Sequence, residues 1–292
     1  MSYGEIIHSS KEIEGLLNNS NLSFENLRYL AREVSENTWS PFSQFPVGAV
    51  VVGIDQSKKL KVFSGTNVEP NVHSAVCAER VAIFNGIAAG YKKFLAIAIS
   101  LPKADKNITG DIDLGKFMPC GACREVILQK LDHKGLILID DIERTFTPKE
   151  LLPRPLLDQT KLRTLTIEEM DTLEQARTAL NNAHVPHSRE KYGVAILVEG
   201  TKEIFSACTL DSASFGCSVE PLRAAFGAYT AKGGIKNQNK IKAIVFAFPF
   251  IKYPPGDTLQ LISDYCDPKT RIIIDNMGVS TIEEMLPHPF KL

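Results

Sequence analysis

The chain carries two copies of one pattern, and that duplication limits its fold more than any single motif. Slid over itself by 145 residues, Ala31-Arg32, Asn37, Pro41, Ser43 and Gly48 recur as Ala176-Arg177, Asn182, Pro186, Ser188 and Gly193. An apolar run follows in both copies, at 49–52 and 194–198. Near the end of each copy Lys149-Glu150-Leu151-Leu152-Pro153-Arg154-Pro155-Leu156 faces Glu283-Glu284-Met285-Leu286-Pro287-His288-Pro289-Phe290 at a shift of 134. Two anchors in the same order imply a fold built twice, and 292 residues with a 44% hydrophobic share supply two packed cores.

The periodicity of the first copy gives its elements. Phe24, Leu27, Ala31 and Val34 keep helical spacing behind Ser23 as N-cap, and 47–52 is a β-branched run suited to a buried strand. Residues 61–67 predict a strand, 77–89 a helix closed by Gly90, 95–100 a strand, 120–131 a helix and 136–140 a strand. This alternation predicts an α/β layered domain. The boundaries follow: an N-terminal extension at 1–22, a first domain at 23–157, a polar linker rich in Thr and Glu at 158–172, and a second domain at 173–292.

Thirty-three basic against thirty-four acidic side chains leave a formal charge of −1, which offers no bulk attraction to nucleic acid or to an anionic membrane. Lys232, Lys236, Lys240 and Lys242 form a local basic cluster without interleaved aromatics, so it reads as a solvated loop. The apolar run 244–251 is far short of the roughly 20 residues that cross a bilayer. The N-terminus has neither a basic region nor an apolar core of a secretory signal, so a cytoplasmic protein with reduced thiols is expected.

Cysteine placement distinguishes the copies. The first holds Cys77, Cys120 and Cys123, the second Cys208, Cys217 and Cys266, and only the first has a C-x-x-C pair. That pair opens a helix, where free N–H groups and the positive dipole end favour thiolate. Taken alone, it suits a structural zinc site, a redox pair or a catalytic metal equally. Cys77 also stands where a helix begins, so two helix tips can present three sulfurs. Three ligands with an open fourth position describe a catalytic zinc site, and Glu79, two residues after a ligand, is placed to move a proton. His73 would close the open position and is read as loop.

The segments Phe45-Pro46-Val47-Gly48, Gly65-Thr66-Asn67-Val68-Glu69, Val76-Cys77-Ala78-Glu79-Arg80 and Pro119-Cys120-Gly121-Ala122-Cys123-Arg124 together resemble cytidine deaminase, a zinc-dependent nucleoside deaminase. The resemblance implies duplicated three-layer α/β/α domains with a mixed sheet, the second copy degenerate. It implies Zn²⁺ on Cys77, Cys120 and Cys123, with Glu79 as proton shuttle in the hydrolysis of cytidine and deoxycytidine to the uridine nucleosides, a step of pyrimidine salvage. It gives substrate contacts to Asn67, Glu69, Ala78, Phe42 and Phe45, the first two at the ribose hydroxyls. Three thiolates, one hydroxide and Zn²⁺ sum to −2, so Arg80 is expected to offset charge by donating to thiolate sulfur. The two-domain class also implies a homodimer that mimics a tetramer, with Phe290 as a possible cross-subunit contributor. That class commonly has His at the first ligand, whereas this chain has Cys77. A deaminase of another cytosine-bearing small molecule and a zinc-stabilised pseudoenzyme are the competing readings.

In the second copy, matching Phe63-Ser64 with Phe205-Ser206 puts Val219 opposite Cys77 and Pro221 opposite Glu79, or Glu220 after a one-residue shift. Around the second pair, matching Lys116 to Cys123 with Lys252 to Leu259 puts Gly256 and Leu259 opposite Cys120 and Cys123, so no ligand set is restored. Cys208, Cys217 and Cys266 read as buried or half-buried free thiols.

Overall fold

In the computed structural model, residues 9–103, 114–157, 159–201, 203–238 and 240–291 are described, and they form two compact units. Unit 1 comprises residues 1–153 and returns for 288–292, while unit 2 comprises 154–287. The division therefore falls at Pro153 and Arg154, ahead of the expected linker. Within that polar stretch, Gln159–Thr164 is a 3₁₀ turn and a helix begins at Ile167, its Thr166 and Glu169 forming a capping box; Asp158 lies outside the described residues. Its Thr and Glu residues thus act as helix-starting signals, and the stretch is not a free linker.

Unit 1 opens with α1 (Ser10–Asn19), capped by Ser9 and Glu12, and α2 (Phe24–Ser35), capped by Ser23 as its spacing predicts. The expected extension 1–22 therefore supplies a helix of the domain, with residues 1–8 outside the described set. The sheet comprises β1 (Gly48–Ile54), β2 (Leu60–Thr66), β3 (Lys93–Ser100) and β4 (Leu131–Ile139). Their order is β2-β1-β3-β4, antiparallel except for the parallel β3·β4 pair. Helix α3 (Ala78–Ala88) precedes β3, α4 (Gly121–Lys130) precedes β4, and the short α5 (Pro148–Leu151) follows.

Period-two alternation, interrupted in β3 by a bulge between Phe94 and Ala96, sorts the sheet residues between two cores. Ala49, Val51, Ile97, Ile99, Ile137 and Ile139 pack with Ala78, Ala82, Ile83 and Ile127 of α3 and α4. Val50, Val52, Leu95, Ala98, Leu136 and Leu138 pack with Ile13, Leu17, Leu27 and Ala31 of α1 and α2. Both faces are covered, so the strands read as continuous apolar runs.

Unit 2 rebuilds this plan with α6 (Ile167–Asn181), β5 (Gly193–Val198), β6 (Ile204–Cys208), α7 (Pro221–Ala231), β7 (Ile241–Ala247), α8 (Gly256–Tyr265), β8 (Arg271–Ile274), β9 (Gly278–Thr281) and α9 (Ile282–Met285). The order β6-β5-β7-β8-β9 repeats that of unit 1 with one strand added. Repeated sequence positions do repeated work. A Cβ at Gly48 would lie 2.0 Å from the Ala31 carbonyl oxygen, and one at Gly193 2.1 Å from that of Ala176, so glycine lets helix and strand backbones meet in both units. Arg32 makes a two-pronged ion pair with Asp140, as Arg177 does with Asp275.

Candidate active site

Cys77 is the N-cap of α3 and Cys120 the N-cap of α4, both with extended backbone, and Cys123 sits one turn into α4. Two helices that start at the same end of the sheet bring the sulfurs together. Cys77 Sγ and Cys120 Sγ are 3.7 Å apart, Cys120 Sγ and Cys123 Sγ 3.5 Å, and all three lie within 4.8 Å of one another. Tetrahedral zinc with bonds of about 2.3 Å would space its sulfurs about 3.8 Å apart, so the donor set fits that ion.

The thiols share charge unequally. Cys77 is pushed up to about 11, first by its hydrogen bond with Cys120; burial pushes Cys123 up; and the hydrogen bonds from both neighbours hold Cys120 low. A divalent cation must displace the protons that two of them retain. Glu79, one residue into α3 beyond Ala78, is buried, and that burial, followed by the charge of Cys77, pushes its carboxyl up to about 7. Arg80 Nη2 lies 3.7 Å from Cys77 Sγ and 3.4 Å from the Ala75 carbonyl oxygen.

A cavity of about 160 Å³ opens beside the sulfurs, walled by Cys77, Glu79 and Cys120, by Asn67 and Glu69, and by the rings of Phe45, Phe117 and Phe290. Asn67 and Glu69 follow β2 and are buried, with much of their hydrogen-bonding capacity spent on the protein. Asn67 Oδ1 accepts from Val47 N–H and the Thr38 hydroxyl, and its Nδ2 donates to the Phe45 carbonyl. Glu69 accepts from the backbone N–H groups of Phe42 and Ser43, and from the Ser43 hydroxyl at 2.6 Å. Burial opposes its ionisation, but these donors hold its carboxyl below the ordinary range.

Two residues expected to contact substrate do not line this cavity. Phe42 is 57% exposed and its ring does not line the cavity, because the turn directs the Phe42 N–H inward to Glu69. Ala78 is fully buried and packs into the core between α3 and the sheet. Phe45 does line the cavity, where its ring meets that of Phe290 edge-on at 6.4 Å. Phe290, considered as a cross-subunit contributor, reaches the cavity of unit 1 of its own chain. His73 lies exposed in a turn, as expected.

Sequence reading missed Arg124 and Ser43. Arg124 is a fully buried side chain of α4 whose Nε and Nη1 donate to the Pro119 and Leu151 carbonyls at 2.7 and 2.8 Å, and whose Nη2 donates to that of His288. Burial pushes its pKa down to about 10. The signal for Ser43 was present in the repeat: Ser188 holds Asp211 as Ser43 holds Glu69.

Helix caps also correct the alignment of the copies. Val76 pairs with Val68 and Val219 with Leu210, so the N-cap Cys77 corresponds to the N-cap Glu220. Likewise Pro255 stands for Cys120 and Thr258 for Cys123. A one-residue insertion between Asp211 and Val219 displaced the sequence match at α7, and the separate match at α8 was displaced by one residue in the opposite sense. Glu220 accepts from Tyr192 Oη at 2.7 Å and Thr258 Oγ1 at 3.2 Å, so a hydrogen-bond knot stands where unit 1 has sulfurs. Of the remaining thiols, Cys208 and Cys266 are half-buried, while Cys217 is exposed, against expectation.

The family model described as the cytidine and deoxycytidylate deaminase zinc-binding region matches residues 24–137, and a second model of that description matches residues 140–247. Cytidine deaminase 6 of Arabidopsis thaliana is 30% identical over 262 residues, covering 79% of this chain and 84% of that protein. The chain belongs to the cytidine deaminase family. It is a duplicated-domain member, and the three-cysteine cluster that could hold a metal ion lies in the first copy. A cytidine deaminase of Sporosarcina psychrophila is 32% identical over 45% of this chain and 90% of its own length. The crystal structure of a cytidine deaminase from Burkholderia pseudomallei is 32% identical, covers 44% of this chain and 95% of its own, and superposes with a TM-score of 0.37.

Proposed function

We propose that unit 1 hydrolyses cytidine and deoxycytidine to the uridine nucleosides with release of ammonia. The observation that carries this is the adjacency of three sulfurs at tetrahedral spacing, two of them (Cys77 and Cys120) on the cavity wall, and a buried glutamate on that wall that is not needed as a ligand. Zinc, when bound by Cys77, Cys120 and Cys123, supplies Lewis-acid activation of water. The Glu79 carboxylate takes a proton from the attacking water and gives it to ring nitrogen N3; it then takes the proton of the new C4 hydroxyl and gives it to the amino group, which leaves as ammonia while C4 becomes a carbonyl. Asn67 and Glu69 face the ribose from the edge of β2, held in place by Thr38 and Ser43. Among the described residues lining the cavity there is no Lys or Arg, which favours a nucleoside over a nucleotide.

The duplicated form further supports a homodimer, to be checked by sedimentation. Three adjacent free thiols suit the reducing cytoplasm. Among the described residues no helix is long and apolar enough to cross a membrane. The deciding experiment follows the loss of cytidine absorbance with wild type and Glu79→Gln while zinc is measured in both. Wild type should turn over; the variant should keep its zinc and lose about 100-fold or more of kcat. Equal rates would remove the proton shuttle, and a zinc-loaded wild type inert toward cytidine would remove the substrate.

A further inference from the structure

The buried guanidinium of Arg124 ties together three separate stretches of unit 1. Through backbone carbonyls it holds Pro119, which precedes the ligand Cys120, Leu151 at the end of α5, and His288 in the returning C-terminal tail. His288 is held at φ +46°, a conformation unfavourable for a side-chain-bearing residue. Three residues on, Lys291 N–H donates to the Gly115 carbonyl at 3.2 Å. Phe290 lies between these two anchors, and its ring walls the cavity against Phe45.

The second copy shows that this helix position does not require arginine. There Leu259 occupies the corresponding site of α8, fully buried. The carbonyl of Pro254, which corresponds to that of Pro119, is met instead by Arg154 Nη1 at 3.0 Å. An apolar side chain fills the slot at no cost in buried charge, so the arginine of unit 1 answers to something the second copy lacks.

We propose that Arg124 is a positioning residue that fastens the C-terminal tail, so that Phe290 forms a fixed wall of the substrate cavity. This rests on the reading of that cavity as the nucleoside site. Loss of the clamp frees the tail, weakens substrate binding and leaves the chemical step in place.

The test compares wild type, Arg124→Leu, a chain ending at Pro287, and the two changes combined, by kcat and KM for cytidine, zinc content, and hydrogen exchange of the tail amides. Arg124→Leu should raise KM about tenfold, as for loss of a charged hydrogen bond, with kcat within about twofold and zinc retained. In the truncated chain the same substitution should add nothing further to KM. The Lys291 amide should exchange much faster in Arg124→Leu, a readout independent of any activity, so inactivity toward cytidine would strike the functional reading and leave the clamp judged by exchange. Unchanged protection of Lys291, or a full KM effect persisting in the truncated chain, overturns the proposal. If Arg124→Leu fails to fold, Arg124→Lys keeps the charge but cannot span three carbonyls; it too must lose Lys291 protection, and wild-type protection there overturns the clamp.

Discussion

At the scale of single residues, identity in the motif and job in the structure separate. Glu69 is a carboxylate already satisfied by Ser43 and by two backbone N–H groups, and Asp211 makes the same contacts in a copy with no metal ligands. Holding the preceding loop is therefore part of what this position does, alongside any contact with substrate. Folding lowers the pKa of Glu69, so its contribution to stability is complete above the unfolded value of about 4.3 and is lost as the pH falls through the lower folded value. Glu69→Gln should cost about 1–3 kcal/mol near pH 6, and the gap from wild type should narrow toward pH 3 in thermal unfolding. A gap that stays constant across that range would show that the charge plays no part. Arg80 and Arg124 likewise differ in kind, although each lies one residue past a residue of the core motif. The first donates to a ligand sulfur, the second to three carbonyls.

At the scale of elements, the site is made by helix starts. Cys77 and Cys120 are N-caps that make no capping hydrogen bond, which leaves their sulfurs available while the helix ends face them with positive dipoles. The unit 2 helices begin at matching places with Glu220 and Pro255, so the scaffold persists without the donors. Packing of α2 on β1, and of α6 on β5, depends on a glycine with no room for a methyl group. Gly48→Ala and Gly193→Ala should each destabilise by about 1–3 kcal/mol or more, since the obstacle is backbone carbonyl and not a movable side chain. Denaturant unfolding of the two variants checks this, and a cost below about 0.5 kcal/mol would show that the helix shifts freely.

At the scale of the whole molecule, one chain holds two deaminase folds but one set of sulfur donors among its described residues. The second family match reaches into unit 2 as far as residue 247, yet Glu220, Tyr192 and Thr258 hydrogen-bond one another there, with no three-ligand set among the described residues. Purified protein should bind close to one zinc per chain by elemental analysis, and Cys77→Ser should abolish that binding. A ratio near two would show a second site in the degenerate copy.

The sequence by itself determined the duplication, the alternation of strands and helices and the three candidate sulfur donors, because these rest on local spacing: a period of two or 3.6, a C-x-x-C, a shared shift along the chain. It placed Glu79 and Arg80 for the same reason. What only the tertiary structure decided involves residues far apart in sequence. The register between the copies turned on one-residue displacements, of opposite sense at α7 and α8, that helix caps reveal and identity does not. Phe42 faces outward because its own backbone is pulled in by Glu69, twenty-seven residues away. The last five residues rejoin unit 1 through a guanidinium 164 positions earlier. Such contacts are chosen by packing and by the need to satisfy buried polar groups, and neither leaves a periodic trace in the chain.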